Sequence, residues 1–163
     1  MAKVVVADSG PLHYLVLIDC ADVLENLFDE VLIPVAVQSE LSHRDAPAEV
    51  KAWLQATKPW LSIRQVSRPR PVAGLHRGET EALQLALQLG VNVVLMDDMD
   101  GRNAAKQLGL IVVGTIGILE LASERGLIQL PRAVAKLRQT NFFISPQILD
   151  DALERNRRRT GAT

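Results

Sequence analysis

The sequence predicts a single α/β domain, doubly wound, with a five-stranded parallel sheet flanked by helices. Three observations lead there. Five short apolar runs alternate with stretches of helical periodicity along the chain. One run, Val93-Val94-Leu95-Met96, does not alternate polar with apolar residues, as expected of a strand covered on both faces. Two runs end abruptly on a carboxylate, Asp8 after the first and Asp97 after the fourth. In open α/β sheets, ligands bind at the carboxyl ends of the strands.

Composition narrows the class further. The chain has 163 residues, 48% hydrophobic and 23% charged, enough for one domain with a sizeable core. A net charge of −1 advertises neither a polyanion nor a membrane surface, so attraction to a polyanion would need a local patch or a bound metal. The single cysteine, Cys20, rules out an internal disulfide and reads as a small buried hydrophobe in a reducing compartment. No leader pattern and no apolar run long enough to span a bilayer are visible, so a cytoplasmic protein is expected.

Taken in order, residues 3–7 form the first strand, ending on Asp8. Ser9-Gly10-Pro11 turns the chain into a helix over 12–18, and Val23, Leu24, Leu27 and Phe28 define a second over 21–28. A short strand over 30–33 is stopped by Pro34, which opens the next helix. There Glu40 shares a face with Ala36 and Val37, and a carboxylate on an apolar face requires a partner. A helix over 47–57 and a strand over 61–66 follow.

Residues 67–75, with Arg68, Arg70 and two prolines, lack periodicity and read as a loop able to move. The clearest helix covers 78–90, closed by Gly90. On it Glu79 shares a face with Ala82, Leu83 and Ala86, whereas Glu81 lies about 200° away and is expected to face water. After the fourth strand come a helix over 102–108, a fifth strand over 110–113 and a helix from Gly114-Thr115 to Arg125. Pro131 and Ser145-Pro146 open the last two helices, and the arginine-rich C-terminus is expected to fray. No repeat or domain boundary interrupts residues 1–163.

The acids Asp8, Glu40, Glu79 and Asp97 thus stand at strand ends or on apolar helix faces. If the first and fourth strands are neighbours where strand order reverses, Asp8 and Asp97 meet at the switch point. Crowded carboxylates resist ionising together unless a cation joins them, and an all-oxygen set suits Mg²⁺ or Mn²⁺. Such ions activate water and stabilise charge on a phosphodiester. Asp98 and Asp100 read either as further ligands or as caps of the following helix. Ser9 and Thr115 could bond a carboxylate or a local turn. His13, His43 and His76 show no metal-ligand spacing, and Gly101 comes too early for an EF-hand.

This order of residues resembles the PIN domain, a family of metal-dependent ribonucleases that includes the VapC-type toxins of toxin–antitoxin pairs. The similarity covers nearly the whole chain, from Val4-Val5-Val6-Ala7-Asp8-Ser9 through the last strand and beyond, and includes the helix from Pro34 to Leu41. Asp8 matches the family's first acid, Glu40 its second, Glu79 its third and Asp97 its fourth; Asp100 matches an additional aspartate beyond it. Glu79 and Asp97 are separated by 97 − 79 = 18 residues, the family's spacing, which favours Glu79 over Glu81. Leu75-His76-Arg77-Gly78-Glu79-Thr80-Glu81-Ala82, Gly114-Thr115-Ile116-Gly117 and Asn141-Phe142-Phe143-Ile144-Ser145 resemble a PIN branch of poorly defined role. The chain departs from many PIN toxins in having glutamate as third acid and a doubled Asp97-Asp98.

The resemblance implies a Mg²⁺- or Mn²⁺-dependent endoribonuclease using Asp8, Glu40, Glu79 and Asp97, with Asp98 and Asp100 as further metal ligands. It implies an RNA substrate, a homodimer and an antitoxin partner. A non-catalytic module binding RNA or protein is the alternative. A phosphoryl-accepting receiver domain fits poorly, because Asp8 stands alone after the first strand and no lysine follows the fifth.

Overall fold

The computed structural model describes residues 3–161; the outermost two residues at each end of the 163-residue chain lie outside it. Its sheet has five parallel strands in the order β3-β2-β1-β4-β5: β1 (Val4–Ala7), β2 (Glu30–Pro34), β3 (Leu61–Arg64), β4 (Val93–Leu95) and β5 (Ile111–Val113). The order reverses between β1 and β4, which pair Val6 with Val94 and Ala7 with Leu95. The amide of Asp8 continues that ladder to the carbonyl of Leu95 at 2.9 Å. The pairing therefore delivers the chain leaving β1 and the chain leaving β4 side by side.

Alternation along the strands feeds two cores. Val5, Ala7, Val31, Ile33 and Leu95 face one side with Leu12, Leu15, Leu24 and Leu119. Val6, Leu32, Val94 and Met96 face the other, against Ala82, Leu83, Leu85, Ala86 and Ala105. Helices α5 (Arg77–Leu89) and α6 (Met99–Gln107) cover this second face. The first is covered by α1 (Ser9–Leu17), α2 (Val23–Leu27), α3 (Val35–Leu41), α4 (Ala48–Gln55), α7 (Thr115–Glu124), α8 (Leu130–Arg138) and α9 (Pro146–Thr160). No helix among the described residues is long and apolar enough to cross a membrane.

Several boundaries differ from expectation for local reasons. α1 starts at Ser9, directly behind Asp8, rather than near Leu12. α6 starts at Met99 because Asp98 caps it, accepting from the amides of Asp100 and Gly101. At the basic C-terminus, α9 is helical through Thr160, and Arg155 pairs with Glu120 at 2.7 Å. Arg159 joins Ser123 and Asn156 in a polar contact between α9 and α7.

The segment 67–75 runs along α5. Gln88 accepts from the amide of Ser67 and donates to its carbonyl, and Gln84 does the same for Arg70. Each glutamine amide thus satisfies main-chain groups as a neighbouring strand would. This strap covers the α5 face that carries Glu81, which is buried beneath it rather than facing water. Arg77 supplies its counter-charge at 2.7 Å.

Gly90 closes α5 with φ +66°, and the amide of Val91 bonds back to the carbonyl of Ala86. Gly90→Ala forces a Cβ into the left-handed region and should lower stability by about 1 kcal/mol in urea unfolding. An unchanged midpoint would show that the chain relaxes around this cap.

Candidate active site

Asp8 sits at the N-cap position of α1, yet its carboxylate makes no capping bond. It is buried, and its Oδ1 has no hydrogen-bond partner. Burial pushes its pKa up to about 7, offset in part by the amide of Ser9 and reinforced by the charges of Glu40, Glu79 and Asp97. An acid placed to cap a helix that does not cap it is available for something else.

The other acids converge on the same strand ends by different devices. Asp97 is half-buried and held by Thr115, whose amide and hydroxyl both donate to it at 2.7 Å. Burial raises its pKa, opposed by those two Thr115 bonds and by the nearby charge of Arg102. Glu79 is buried in the first turn of α5 and accepts from the amide of His76 at 3.1 Å. Burial raises its pKa too, opposed by the His76 amide and reinforced by Asp98 and Glu40. Glu40 is exposed, although Ala36 and Val37 on its face are buried; its expected partner is the hydroxyl of Ser9, which donates to Oε2.

Glycines make room for this gathering. A Cβ on Gly78 would lie 2.2 Å from Oε1 of Glu40, so a larger residue at the start of α5 would displace that carboxylate from its present position. A Cβ on Gly114 would lie 2.9 Å from Oδ1 of Asp97, and one on Gly10 3.5 Å from Oδ2. A Cβ on Gly101 would fall 3.6 Å from Cδ of Glu79 and 2.4 Å from the sulfur of Met96.

Asp98 and Asp100 stand apart from this cluster in their surroundings. Both are exposed, and Oδ2 of Asp98 is committed to capping α6. Arg102, whose Nη1 donates to the carbonyl of Met96 at 3.0 Å, escaped the sequence reading. The available signal was its position in the first turn of α6, from which a side chain leans back toward the helix N-terminus.

The donor set suits a hard divalent cation: four carboxylates, one with a buried oxygen lacking any partner. Among the described residues, however, no three or more His, Cys, Asp or Glu side chains are grouped closely enough to hold a metal ion between them.

A family model described as a PIN domain, DUF3368, matches residues 4–158. The chain belongs to the PIN domain family. The resemblance read from the sequence is thus borne out over nearly the whole chain. PIN domains are commonly nucleases and generally use divalent metals. Among solved structures, this PIN domain is similar to a PilT N-terminus domain protein, SSO1118, from the hyperthermophilic archaeon Sulfolobus solfataricus P2. The two share 14% identity, with a TM-score of 0.47, over 87% of this chain and 99% of the other. No curated protein matches.

The crowded carboxylates carry a pH signature in this PIN domain. Asp8 titrates near 7 when folded, against 3.8 for a free aspartate. Between those values the folded chain keeps a proton that the unfolded chain has lost. Stability without metal should therefore fall as pH rises through that window, by up to about 1.4 kcal/mol per pH unit from Asp8. Thermal unfolding in EDTA should show Asp8→Asn gaining on wild type between pH 5 and pH 8. Parallel pH profiles for the two proteins would contradict the burial argument.

Proposed function

We propose that this PIN domain is a Mg²⁺- or Mn²⁺-dependent endoribonuclease. The observation that carries the reading is the buried carboxylate of Asp8, whose Oδ1 has no partner, among Glu40, Glu79 and Asp97. Burying Asp8 and Glu79 close to Glu40 and Asp97 at the carboxyl ends of the strands is unfavourable unless a cation or protons compensate it. Asp8 and Asp97 would hold the ion, and Glu40 and Glu79 would orient it from the helices. When bound, Mg²⁺ or Mn²⁺ lowers the pKa of water and stabilises charge on the phosphodiester.

The chain's own residues prepare this arrangement. Two bonds from Thr115 hold Asp97 in one orientation, so little reorganisation is needed to present its oxygens. Ser9 does the same for Glu40. Asp98 and Asp100 contribute negative potential at the helix start, with Asp98 bound to the α6 amides. We further assign the protein as the toxin of a toxin–antitoxin pair, acting as a homodimer and inhibited by a small protein that covers the carboxylates. What suggests this role is that the PIN family includes toxins of this kind.

Wild type and Asp8→Asn, incubated with single-stranded and structured RNAs, should differ completely: cleavage by wild type in Mg²⁺ or Mn²⁺, none in EDTA, none by the folded variant. Metal-dependent cleavage by Asp8→Asn at the wild-type rate would refute the assignment. RNA binding by wild type without cleavage or metal uptake would favour the non-catalytic binding module. Asp98→Asn keeps a capping oxygen and should cleave within a few-fold of wild type, whereas Asp98→Ala should lose about 1 kcal/mol of stability. Loss of cleavage in a stable Asp98→Asn protein would make Asp98 a ligand rather than a cap. Expression of wild type, but not Asp8→Asn, should arrest growth; equal growth would remove the toxin role.

A further inference from the structure

Arg102 is the charge that the carboxylate site leaves unexplained. It lies in the first turn of α6, where a cation opposes the helix dipole. It is half-buried, and Nη1 is anchored on the carbonyl of Met96 at the end of β4. A Cβ on Gly114 would meet Nη1 at 2.6 Å and Oδ1 of Asp97 at 2.9 Å, so both groups border one small space. Despite that proximity, among the described residues Arg102 forms no ion pair within 4.0 Å. Arg77, the other arginine at this end of the helices, is already committed to Glu81.

A guanidinium carries five N–H donors, and the Met96 carbonyl engages one nitrogen. The anchor fixes the plane of the fork and leaves donors for another acceptor. Nearby stand Asp8, Glu40, Glu79, Asp97, Asp98 and Asp100, whose combined charge repels a polyanion. Beside a bound metal ion, a cation supplied by the chain gives an entering phosphodiester a second anchor, and a planar fork matches two phosphate oxygens better than a point charge does.

We propose that Arg102 is a substrate-binding residue that grips a non-bridging phosphate oxygen of single-stranded RNA beside Asp97. This inference rests on the ribonuclease reading above. Its guanidinium orients the phosphate against the carboxylates, and its bond to Met96 keeps it from collapsing onto Asp97. Lysine at this position retains the charge but cannot hold the carbonyl and the phosphate in one plane.

The test uses binding, so that cleavage does not enter. Asp8→Asn protein in Mg²⁺ is titrated against a short fluorescent single-stranded RNA across a range of salt concentrations. Arg102→Gln and Arg102→Met are then added separately to the Asp8→Asn background; both keep much of the stem, and either one that folds suffices. Binding should weaken about tenfold, and the slope of log affinity against log salt should shrink by about 0.7, the contribution of one phosphate contact on a single strand. Arg102→Lys should keep the slope while binding more weakly. An unchanged slope in a folded Gln or Met variant would overturn the proposal, because a residue that merely braces Met96 does not change the number of neutralised phosphates. Absence of RNA binding by the Asp8→Asn parent at every salt concentration would overturn the ribonuclease reading and this inference with it.

Discussion

The burial of Asp8 with one oxygen unpartnered is the constraint on which the rest of the site depends. It follows from the sheet. Parallel pairing of β1 with β4 places the residue after Ala7 beside the residues after Leu95, and α1 begins immediately behind it. The backbone of Asp8 is locked into the ladder by its bond to Leu95, so the carboxylate has little freedom to escape to water. With Asp97, Glu40 and Glu79 close enough to raise its pKa, the chain holds a proton there or takes a cation instead.

Around that carboxylate, small residues and hydrogen bonds do complementary work. Gly78 lets α5 approach Glu40, and Gly114 leaves the space shared by Asp97 and Arg102. Thr115 and Ser9 hold Asp97 and Glu40 through hydroxyl donors that add no charge. The only fixed positive charge bordering Asp97 comes from Arg102, among the described residues. The site is therefore negative at its centre and positive at one margin, a polarity that suits the proposed pairing of a cation with a phosphate.

Much of this was legible in the sequence because it depends on local pattern. The unalternating Val93-Val94-Leu95-Met96 run marks a strand buried on both faces, and the structure buries Val94, Leu95 and Met96 completely. Helical spacing separated Glu79 from its neighbours correctly as a core-side acid. The same spacing misplaced Glu81, because its exposure is decided by a segment more than five residues earlier in the chain. Periodicity says which residues share a face, and not what later covers that face. Ser9 and Thr115 were open between turn and carboxylate partners, since the partners Glu40 and Asp97 are 31 and 18 residues away. Arg102 went unread for the same reason: its role depends on the Met96 carbonyl and the Gly114 gap, which meet only in the folded sheet.

The most direct measurement of the central claim is a calorimetric titration of EDTA-stripped protein with Mn²⁺ at pH 7, repeated in two buffers of different ionisation enthalpy. Wild type should bind saturably and release protons, because Asp8 is part-protonated near that pH and must ionise to take the ion. Folded Asp8→Asn should lose more affinity than the roughly tenfold that removing an outer-shell partner costs, and its proton release should fall. Wild-type affinity and proton release in Asp8→Asn, or no Mn²⁺ binding by wild type, would contradict a cation site built on this carboxylate.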